Sequence, residues 1–146
     1  APEDSVMAKV IAAVDKAQTY IHFMAFSFTD DALANAMLQE KNQGVTLGGV
    51  FEARGANTEY SECQKLLTAG ADISLDGNPS TFHHKVIIID GTTVILGSFN
   101  FSANANESND ENLLIIHDTS LASAYEQEYQ RMKLQSIIPT GSECTK

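Results

Sequence analysis

Apolar positions in the first half of the chain switch repeatedly between helical and strand spacing. Val10 and Val14 recur at a helical interval, whereas the aromatic and apolar run at 20–28 is short and continuous, as in a buried strand. The paired Gly48 and Gly49 inside another such run predict close packing against the backbone. The predicted elements are, in order, helix 5–18, strand 20–28, a helix from residue 30 to about 43, strand 45–51, helix 58–69 and strand 71–75.

The second half of the chain is richer in predicted β-structure. Apolar runs at 85–89 and 94–96 flank an Asp90-Gly91 turn signal, so together they predict a β-hairpin. Strands that alternate with helices indicate an α/β fold, a mixed β-sheet flanked by helices, in one domain over residues 1–138. The remaining predicted elements are a strand at 113–116, a closing helix at 121–132 and a loose C-terminal tail at 139–146.

Composition and charge narrow the possible partners. The 146 residues correspond to one domain, and 43% hydrophobic with 19% charged residues is typical of a globular protein. No apolar run approaches the roughly 20 residues that a transmembrane helix requires, so no transmembrane segment is expected. The formal net charge is −10 and the nine cations are scattered. A nucleic acid or other anionic partner would therefore be bound in a local pocket rather than along a basic stripe.

The cysteines and the N-terminus leave the compartment open. Cys63 and Cys144 allow one disulfide, but two unrelated thiols fit the sequence equally well. The chain begins Ala1-Pro2 without a starting Met, which is expected if a leader has been removed or if a domain has been excised. A bacterial, extracytoplasmic protein after leader removal is the expectation that we carry forward.

The chemistry-bearing residues are concentrated between residues 82 and 112. His83 and Lys85 are two positions apart at the start of a predicted strand, so their side chains project to the same face while His84 points the other way. Ser98 and Asn100 repeat this spacing after the hairpin. The two strand ends would present an imidazole, an ammonium and two neutral donors to one place, and this set suits a phosphate group.

Glu111 follows an Asn-rich loop and directly precedes the next predicted strand. A carboxylate beside an imidazole orients the ring and stabilises its cationic form, as the acid of a catalytic triad does. Asn104, Asn106 and Asn109 in that loop most simply build turns. The set of candidate side chains calls for no metal and no cofactor.

The pattern His83-x-Lys85-x4-Asp90, Gly97-Ser98-x-Asn100 and then Glu111 resembles the HKD signature of the phospholipase D superfamily. Its spacing is also similar to that of the small single-motif nucleases of this family. The stretch at 20–29 and the later Gly44-Val45-x-Leu47 resemble the first half of the same domain, so the resemblance covers nearly the whole chain. It implies the phospholipase D-like αβα sandwich.

The resemblance also implies a metal-independent phosphodiesterase that works through a phosphohistidine intermediate. His83 would attack phosphorus, and a second histidine across the site would protonate the leaving oxygen and then activate water. Lys85, Ser98 and Asn100 would bind the non-bridging oxygens, and Glu111 would bond to the far nitrogen of His83. Asp90 belongs to the same motif and is the remaining candidate catalytic residue, although in the family it is mostly a structural member.

Enzymes of this family need two such motifs in an active site, and this chain has one. Either two copies form an isologous homodimer, or a sister domain of the same chain supplies the second motif. We expect an endonuclease acting on DNA or RNA. The alternatives are a phospholipase D acting on phospholipid headgroups and a non-catalytic phosphate-binding half of a tandem protein.

The other candidate residues have simpler interpretations. His22 alternates within a buried strand and is expected to be a core residue with a satisfied ring, and His117 receives no role. His84 is expected to pack beside the site, and it is the fallback nucleophile if the register is shifted by one residue. Arg54 follows a strand and could reach the substrate, although a solvated loop arginine is slightly favoured.

Overall fold

A computed structural model describes residues 2–140, 143 and 144 of the chain. Six strands are present in this part: β1 (Tyr20–Ala25), β2 (Thr46–Phe51), β3 (Asp72–Leu75), β4 (Lys85–Ile89), β5 (Thr93–Gly97) and β6 (Leu113–His117). The helices in the same residues are α1 (Val6–Val14), α2 (Asp31–Asn42), α3 (Ala53–Ala56), α4 (Cys63–Thr68), α5 (Ala103–Glu107) and α6 (Thr119–Gln135).

The strands form one mixed sheet in the order β3-β2-β1-β4-β5-β6. β1, β2 and β3 run parallel, and helices α2 and α4 lie in the connections between them. β4 pairs antiparallel with β1 in the middle of the sheet, and β5 and β6 continue the antiparallel half. The predicted α/β class with a mixed sheet is confirmed.

Helices cover both faces of the sheet. On one face, α1, α2 and α4 enclose a large apolar core that includes the contacting rings of Phe23, Phe28 and Phe51. On the other face, α6 places Tyr129 and Met132 on a smaller core. The pleat of the strands alternates side chains between these two cores, which explains why the strands are apolar at almost every position.

Short polar side chains set the beginnings of several helices. Asp30 accepts a hydrogen bond from Leu33 N at 2.9 Å at the start of α2, and Asp118 accepts one from Leu121 N at 2.7 Å at the start of α6. Each carboxylate satisfies a backbone donor that has no partner within the first turn of the helix.

The predicted close packing at Gly48 and Gly49 is confirmed. A Cβ atom on Gly49 would lie 2.0 Å from Cζ of Phe23, and one on Gly48 would lie 2.5 Å from the Tyr129 hydroxyl. The two glycines therefore leave room for one aromatic side chain on each face of β2.

Several predicted boundaries are wrong. The strand predicted at 20–28 ends at Ala25, because Phe28 leaves the β1 register and forms an isolated bridge with Phe101. The helix predicted at 58–69 covers only α4, since residues 57–62 form turns. Asn104 and Asn106 were predicted in turns, but both belong to α5, which Ser102 caps by accepting from Ala105 N.

The predicted hairpin is confirmed, with a turn at Asp90-Gly91. Both residues have positive φ, 54° and 64°, and Thr92 N donates to Ile89 O at 3.1 Å. Positive φ at both central residues favours Asp-Gly, and the register that places Ile89 opposite Thr93 leaves three residues in the loop.

A disulfide joins Cys63 in α4 to Cys144, 81 residues later. It resolves the alternative that the sequence left open. Of the tail predicted at 139–146, residues 141, 142, 145 and 146 lie outside the described residues. Among the described ones, the Thr140 hydroxyl donates to the Glu143 carboxylate at 3.0 Å.

The strand ends that carry the candidate site residues lie at the same edge of the sheet. β1 ends at Ala25, which pairs with Lys85 at the start of β4, and Gly97 at the end of β5 pairs with Leu113 at the start of β6. We call this the carboxyl edge, because β1, β2 and β3 all end there. Open α/β sheets bind their ligands outside the carboxyl ends of parallel strands.

Candidate active site

His83 and Lys85 meet at the carboxyl edge, as their spacing predicts. The Lys85 ammonium lies 3.3 Å from Nδ1 and 3.2 Å from Nε2 of His83, and it donates to the His83 carbonyl oxygen at 3.1 Å. The imidazole is exposed, whereas only 8% of Lys85 is exposed. The pair therefore presents an accessible ring nitrogen beside a fixed positive charge.

Phe26 forms the floor under this pair. Its ring centroid lies 4.5 Å from that of His83, and the Lys85 ammonium sits 4.9 Å from the same centroid. An aromatic face attracts a cation and leaves an imidazole few alternative orientations. The sequence prediction placed Phe26 inside a strand and missed this role, although its position directly after β1 at the carboxyl edge could have indicated it.

Ser98 and Glu111 form a second polar pair at the same edge. Ser98 Oγ donates to the Glu111 carboxylate and accepts from Asn112 N at 3.1 Å. The backbone makes this contact possible, because a Cβ on Gly97 would lie 2.2 Å from the Asn112 carbonyl oxygen. Gly97 thus allows the residues before β6 to lie directly against the end of β5.

The predicted hydrogen bond between Glu111 and His83 is not present among the described residues. Glu111 instead accepts from Ser98 and, at 3.2 Å, from Asn109 Nδ2. Both of these partners lie on the β5–β6 side of the site, so the bond from Glu111 to His83 stays a prediction of the family resemblance.

Glu111 acts on Lys85 through its charge. Burial of the Lys85 ammonium lowers its pKa below that of an exposed lysine, and the nearby Glu111 carboxylate opposes this shift by raising it. This interaction couples the Lys85 ammonium to the Ser98–Glu111 pair.

Asn100 also belongs to this edge of the sheet. The next residue, Phe101, donates from its backbone to Ser27 O at 3.1 Å, which anchors this segment beside the end of β1. Oδ1 of Asn100 is buried and receives no hydrogen bond from the described residues. The unpaired atom is an acceptor, so a phosphate oxygen would be bound through the Nδ2 donors of the same amide.

Asp90 is the motif residue that the structure does not bring to this cluster. It lies in the turn at the other end of β4, where its carboxylate accepts from the backbone N–H groups of Gln18, Thr19 and Tyr20 at 2.8–3.0 Å. Burial would raise the pKa of Asp90, but the hydrogen bonds from Tyr20, Thr19 and Gln18 together hold it below its ordinary value. Its position is that of a structural residue.

The other three histidines point away from the cluster. His84 faces α6, where Nε2 lies 3.5 Å from the Glu128 carboxylate, and burial lowers its pKa while Glu128 opposes the shift. His22 bonds through Nδ1 to Glu126 at 2.9 Å, which satisfies its ring as predicted. His117 lies 2.9 Å from the Thr93 hydroxyl.

A family comparison agrees with this geometry. The sequence model of the family described as "Cardiolipin synthase, PLD-like domain" matches residues 10–133. The chain belongs to the phospholipase D superfamily. The family prediction is therefore confirmed, and the matched segment contains every candidate residue of the site.

Relatives and solved structures extend the comparison. The chain is 35% identical over 120 residues to a protein named phospholipase D from Rickettsia conorii, covering 82% of this chain and 60% of that protein. It is 30% identical over 129 residues to the mitochondrial cardiolipin hydrolase of Xenopus tropicalis, covering 88% and 61%. The chain thus spans about 60% of the length of these curated relatives.

The fold matches solved members of the superfamily. The structure of Nuc from Salmonella typhimurium, described as a phospholipase D family member, superposes with a TM-score of 0.89 at 34% identity, covering 94% of this chain and 92% of that one. NucT from Helicobacter pylori gives a TM-score of 0.86 at 25% identity, covering 93% and 91%. The predicted αβα sandwich is confirmed.

The described residues contain neither a cluster of metal ligands nor a membrane-spanning helix. No three His, Cys, Asp or Glu side chains come together there as metal ligands would. Likewise, none of the described helices has the length and apolar character needed to cross a bilayer.

Proposed function

We propose that the chain is a metal-independent phosphodiesterase that uses His83 as its nucleophile, and that it acts as an endonuclease on DNA or RNA. The observation that carries the proposal is the Lys85 ammonium 3.2 Å from the exposed imidazole of His83. A phosphate bound by this ammonium would have its phosphorus next to a ring nitrogen.

In the proposed reaction, a nitrogen of His83 attacks phosphorus and the bond to the leaving oxygen breaks, which gives a phosphohistidine. A second histidine donates the proton that the leaving oxygen requires. The same histidine then removes a proton from water, which attacks phosphorus and breaks the phosphorus–nitrogen bond. Lys85, Ser98 and Asn100 bind the non-bridging oxygens, whose charge they stabilise throughout.

The second histidine is proposed to come from outside this copy of the site. His22 and His117 are engaged with Glu126 and Thr93, and His84, although it lies at the carboxyl edge, turns its side chain toward Glu128 of α6. A second copy of the chain, related by a two-fold axis, would supply its own His83. A sister domain is the alternative source, since the chain spans only part of its curated relatives.

Nucleic acid is favoured as the substrate because the spacing of the motif residues resembles that of the small single-motif nucleases of the family, and because the chain matches the similarly small Nuc over nearly the full length of both chains. Phospholipid is the second candidate, because relatives carry the names phospholipase D and cardiolipin hydrolase. One structural feature also fits a lipid surface: Leu134, Ile137 and Ile138 are exposed near the carboxyl end of β3, where Ile137 bridges to Leu75.

The first test is hydrolysis of bis(p-nitrophenyl) phosphate in excess EDTA. Wild type should be active, and His83→Ala should lose activity by at least about 10³-fold, because removing a nucleophile removes the covalent route. His84→Ala is the matched control: it changes the neighbouring imidazole, which faces α6, and should keep most of the turnover per folded molecule. Equal loss in both variants, or inactivity of wild type, contradicts the proposal.

Substrate class is tested separately, with the same preparation. Single-stranded DNA and RNA are compared with vesicles of phosphatidylcholine and of cardiolipin. Cleavage of the polynucleotides, abolished by His83→Ala, supports the endonuclease. Release of headgroups without polynucleotide cleavage would instead select the phospholipase.

A further inference from the structure

A cavity of about 450 Å³ opens at the carboxyl edge beside the His83–Lys85 pair. It adjoins the candidate site through Phe26, whose ring contacts both members of that pair. We call it the flanking cavity. Its lining residues are Phe26, Ser27, Glu52, Arg54, Gly55, Thr58 and Thr81.

Arg54 is the cation of the flanking cavity, and the described residues give it no carboxylate partner. Three other cations of the chain are each paired with a carboxylate: Lys65 with Asp31, Arg131 with Glu128 and Lys133 with Asp72. Arg54 is exposed and makes no such pair. A guanidinium held at a cavity wall without a carboxylate is available to an anionic ligand.

The acid nearest to Arg54 in sequence is already occupied. Glu52 is buried, and its carboxylate accepts a hydrogen bond from Gly55 N at 2.7 Å, which caps the short helix α3. The carboxylate therefore stabilises the turn that carries Arg54.

The turn that carries Arg54 is fixed against Phe26. A Cβ on Gly55 would lie 2.9 Å from the Phe26 carbonyl oxygen, so this residue must be small for α3 to approach so closely. Phe26 thus connects the two parts of the edge: its ring supports His83 and Lys85, and its backbone contacts the turn of Arg54. Packed backbone therefore fixes the turn that carries Arg54 beside Phe26.

We propose that Arg54 binds the phosphate next to the scissile one along a nucleic acid strand. This inference rests on the proposed endonuclease function. Lys85 would bind the reacting phosphate on one side of Phe26, and Arg54 would bind its neighbour on the other side with two parallel hydrogen bonds. The hydroxyl groups of Ser27 and Thr81 provide neutral donors in the same cavity.

The test compares small substrates that differ only in a second phosphate: the thymidine dinucleotide TpT against pTpT and TpTp. Wild type should cleave at least one of the phosphorylated forms about tenfold faster in kcat/KM than TpT, as expected for one charged hydrogen-bonded contact. Arg54→Gln should lose this acceleration, and Arg54→Lys should recover part of it, because a lysine keeps the charge without the planar fork.

A salt series on single-stranded oligo(dT) gives a readout that a structural role would not change. Each lost phosphate contact should reduce the slope of log kcat/KM against log salt by about 0.7 for a single strand. Arg54→Gln should show this reduction. Lys41→Gln is the charge-matched control, since Lys41 lies in the last turn of α2 at the opposite edge of the sheet, and its slope should equal that of wild type.

Bis(p-nitrophenyl) phosphate separates this inference from the function on which it rests. That substrate has no second phosphate, so Arg54→Gln should hydrolyse it within about twofold of the wild-type rate. Failure of wild type to hydrolyse it contradicts the proposed function. Normal hydrolysis together with an unchanged preference for pTpT and TpTp in Arg54→Gln overturns only the role of Arg54.

Two further results would also overturn the inference. Equal loss on all substrates would place Arg54 at the scissile phosphate or in the fold. An Arg54-dependent preference for cardiolipin, which has two phosphodiesters, over phosphatidylglycerol, without any among the nucleotides, would assign the cavity to a lipid.

Discussion

The ammonium of Lys85 is buried, which disfavours its charged form, and the negative charge of Glu111 partly offsets this effect. Burial lowers the pKa of Lys85, and the Glu111 carboxylate raises it again. Glu111 also accepts a hydrogen bond from the Ser98 hydroxyl. The same carboxylate therefore favours the charged form of Lys85 and fixes the orientation of the Ser98 hydroxyl. Glu111 is therefore a positioning residue in our proposal, acting through its neighbours.

This division of roles predicts different effects for two alanine substitutions. Glu111→Ala should slow turnover while leaving phosphate binding largely intact, and Lys85→Ala should lose both. The alkaline limb of the Glu111→Ala activity profile should also move to lower pH, because the lost carboxylate no longer raises the pKa of Lys85. The inhibition constant of inorganic phosphate measures phosphate binding. The dependence of kcat on pH gives the position of the alkaline limb.

Two results would contradict the roles proposed for Glu111 and Lys85. Equal loss of phosphate binding in Glu111→Ala and Lys85→Ala would contradict the separation of roles. If the alkaline limb of the activity profile stays at the same pH in Glu111→Ala, the titration of Lys85 does not determine that limb. Glu111→Gln serves as the conservative control, since it retains an acceptor for Ser98 but lacks the charge, and should shift the limb while losing less turnover.

At this scale the sequence predicts side-chain direction better than contacts. The two-residue spacing of His83 and Lys85 correctly places them on one face of a strand, since the pleat has a strict period of two. The predicted bond between Glu111 and His83 is not formed, because Glu111 accepts from Ser98 and Asn109 instead, and these contacts depend on which strands are neighbours. Spacing along the chain carries no information that β5 lies between them.

At the scale of elements, the β4–β5 hairpin carries a structural carboxylate at one end and the candidate nucleophile at the other. Asp90 attaches the turn to the start of β1 through Gln18, Thr19 and Tyr20. Asp90→Ala should lower the free energy of unfolding by about 1.5–3 kcal/mol, the range for hydrogen bonds to a charged group. Urea unfolding measures this loss.

Turnover per folded molecule should be unchanged in Asp90→Ala at temperatures where the variant remains folded. Asp90→Asn keeps an acceptor and tolerates the left-handed turn conformation, so it should lose less stability. In wild type, the folded pKa of Asp90 is lowered, so its contribution is present above the unfolded pKa, about 3.9, and is lost as pH falls through the folded value. A large drop in kcat of stable Asp90→Asn would contradict the structural role.

The two short helices α3 and α5 were not predicted from the sequence, and the reason is their length. α3 and α5 contain four and five residues, too few to show a helical period of apolar positions. Each is held by a single capping side chain, Glu52 or Ser102, rather than by an amphipathic pattern. The long strands and α6 were predictable because their burial repeats over several turns or pleats.

At the scale of the whole molecule, the proposed site is incomplete in one copy of the chain. If two copies contribute one His83 each to a shared site, mixed dimers of wild type and His83→Ala should be inactive. An equal, fully exchanged mixture should then retain about a quarter of the wild-type activity rather than half. Light scattering should report a dimer of twice 15.8 kDa.

The same mixing with His84→Ala is the matched control and should keep nearly full activity. A linear fall of activity with the His83→Ala fraction would show that each copy works with its own histidine alone. An inert monomer would contradict the homodimer and favour a sister domain as the source of the second motif.

The disulfide shows what composition alone left undecided. Two cysteines separated by 81 residues can pair only if the fold brings them together, and that depends on where α4 lies relative to the C-terminal segment. A bond that closes so long a loop constrains the unfolded chain strongly. Disulfides persist mainly in oxidising compartments, and the extracytoplasmic location expected from the sequence stays a prediction.

The pairing of β1 with β4, which joins the parallel and antiparallel halves of the sheet, affects the expected order of folding. β4 and β5 pair over about ten residues, as at Val86 and Leu96, whereas β4 meets β1 across 60 residues, as at Ala25 and Lys85. Local pairings form early and distant ones close late, because loop closure costs entropy. His83 and Lys85 can thus be in place on a hairpin before Phe26 and Arg54 arrive beside them. A partly folded chain would carry its reactive groups without a substrate cavity, so catalytic competence is expected to appear among the last events of folding.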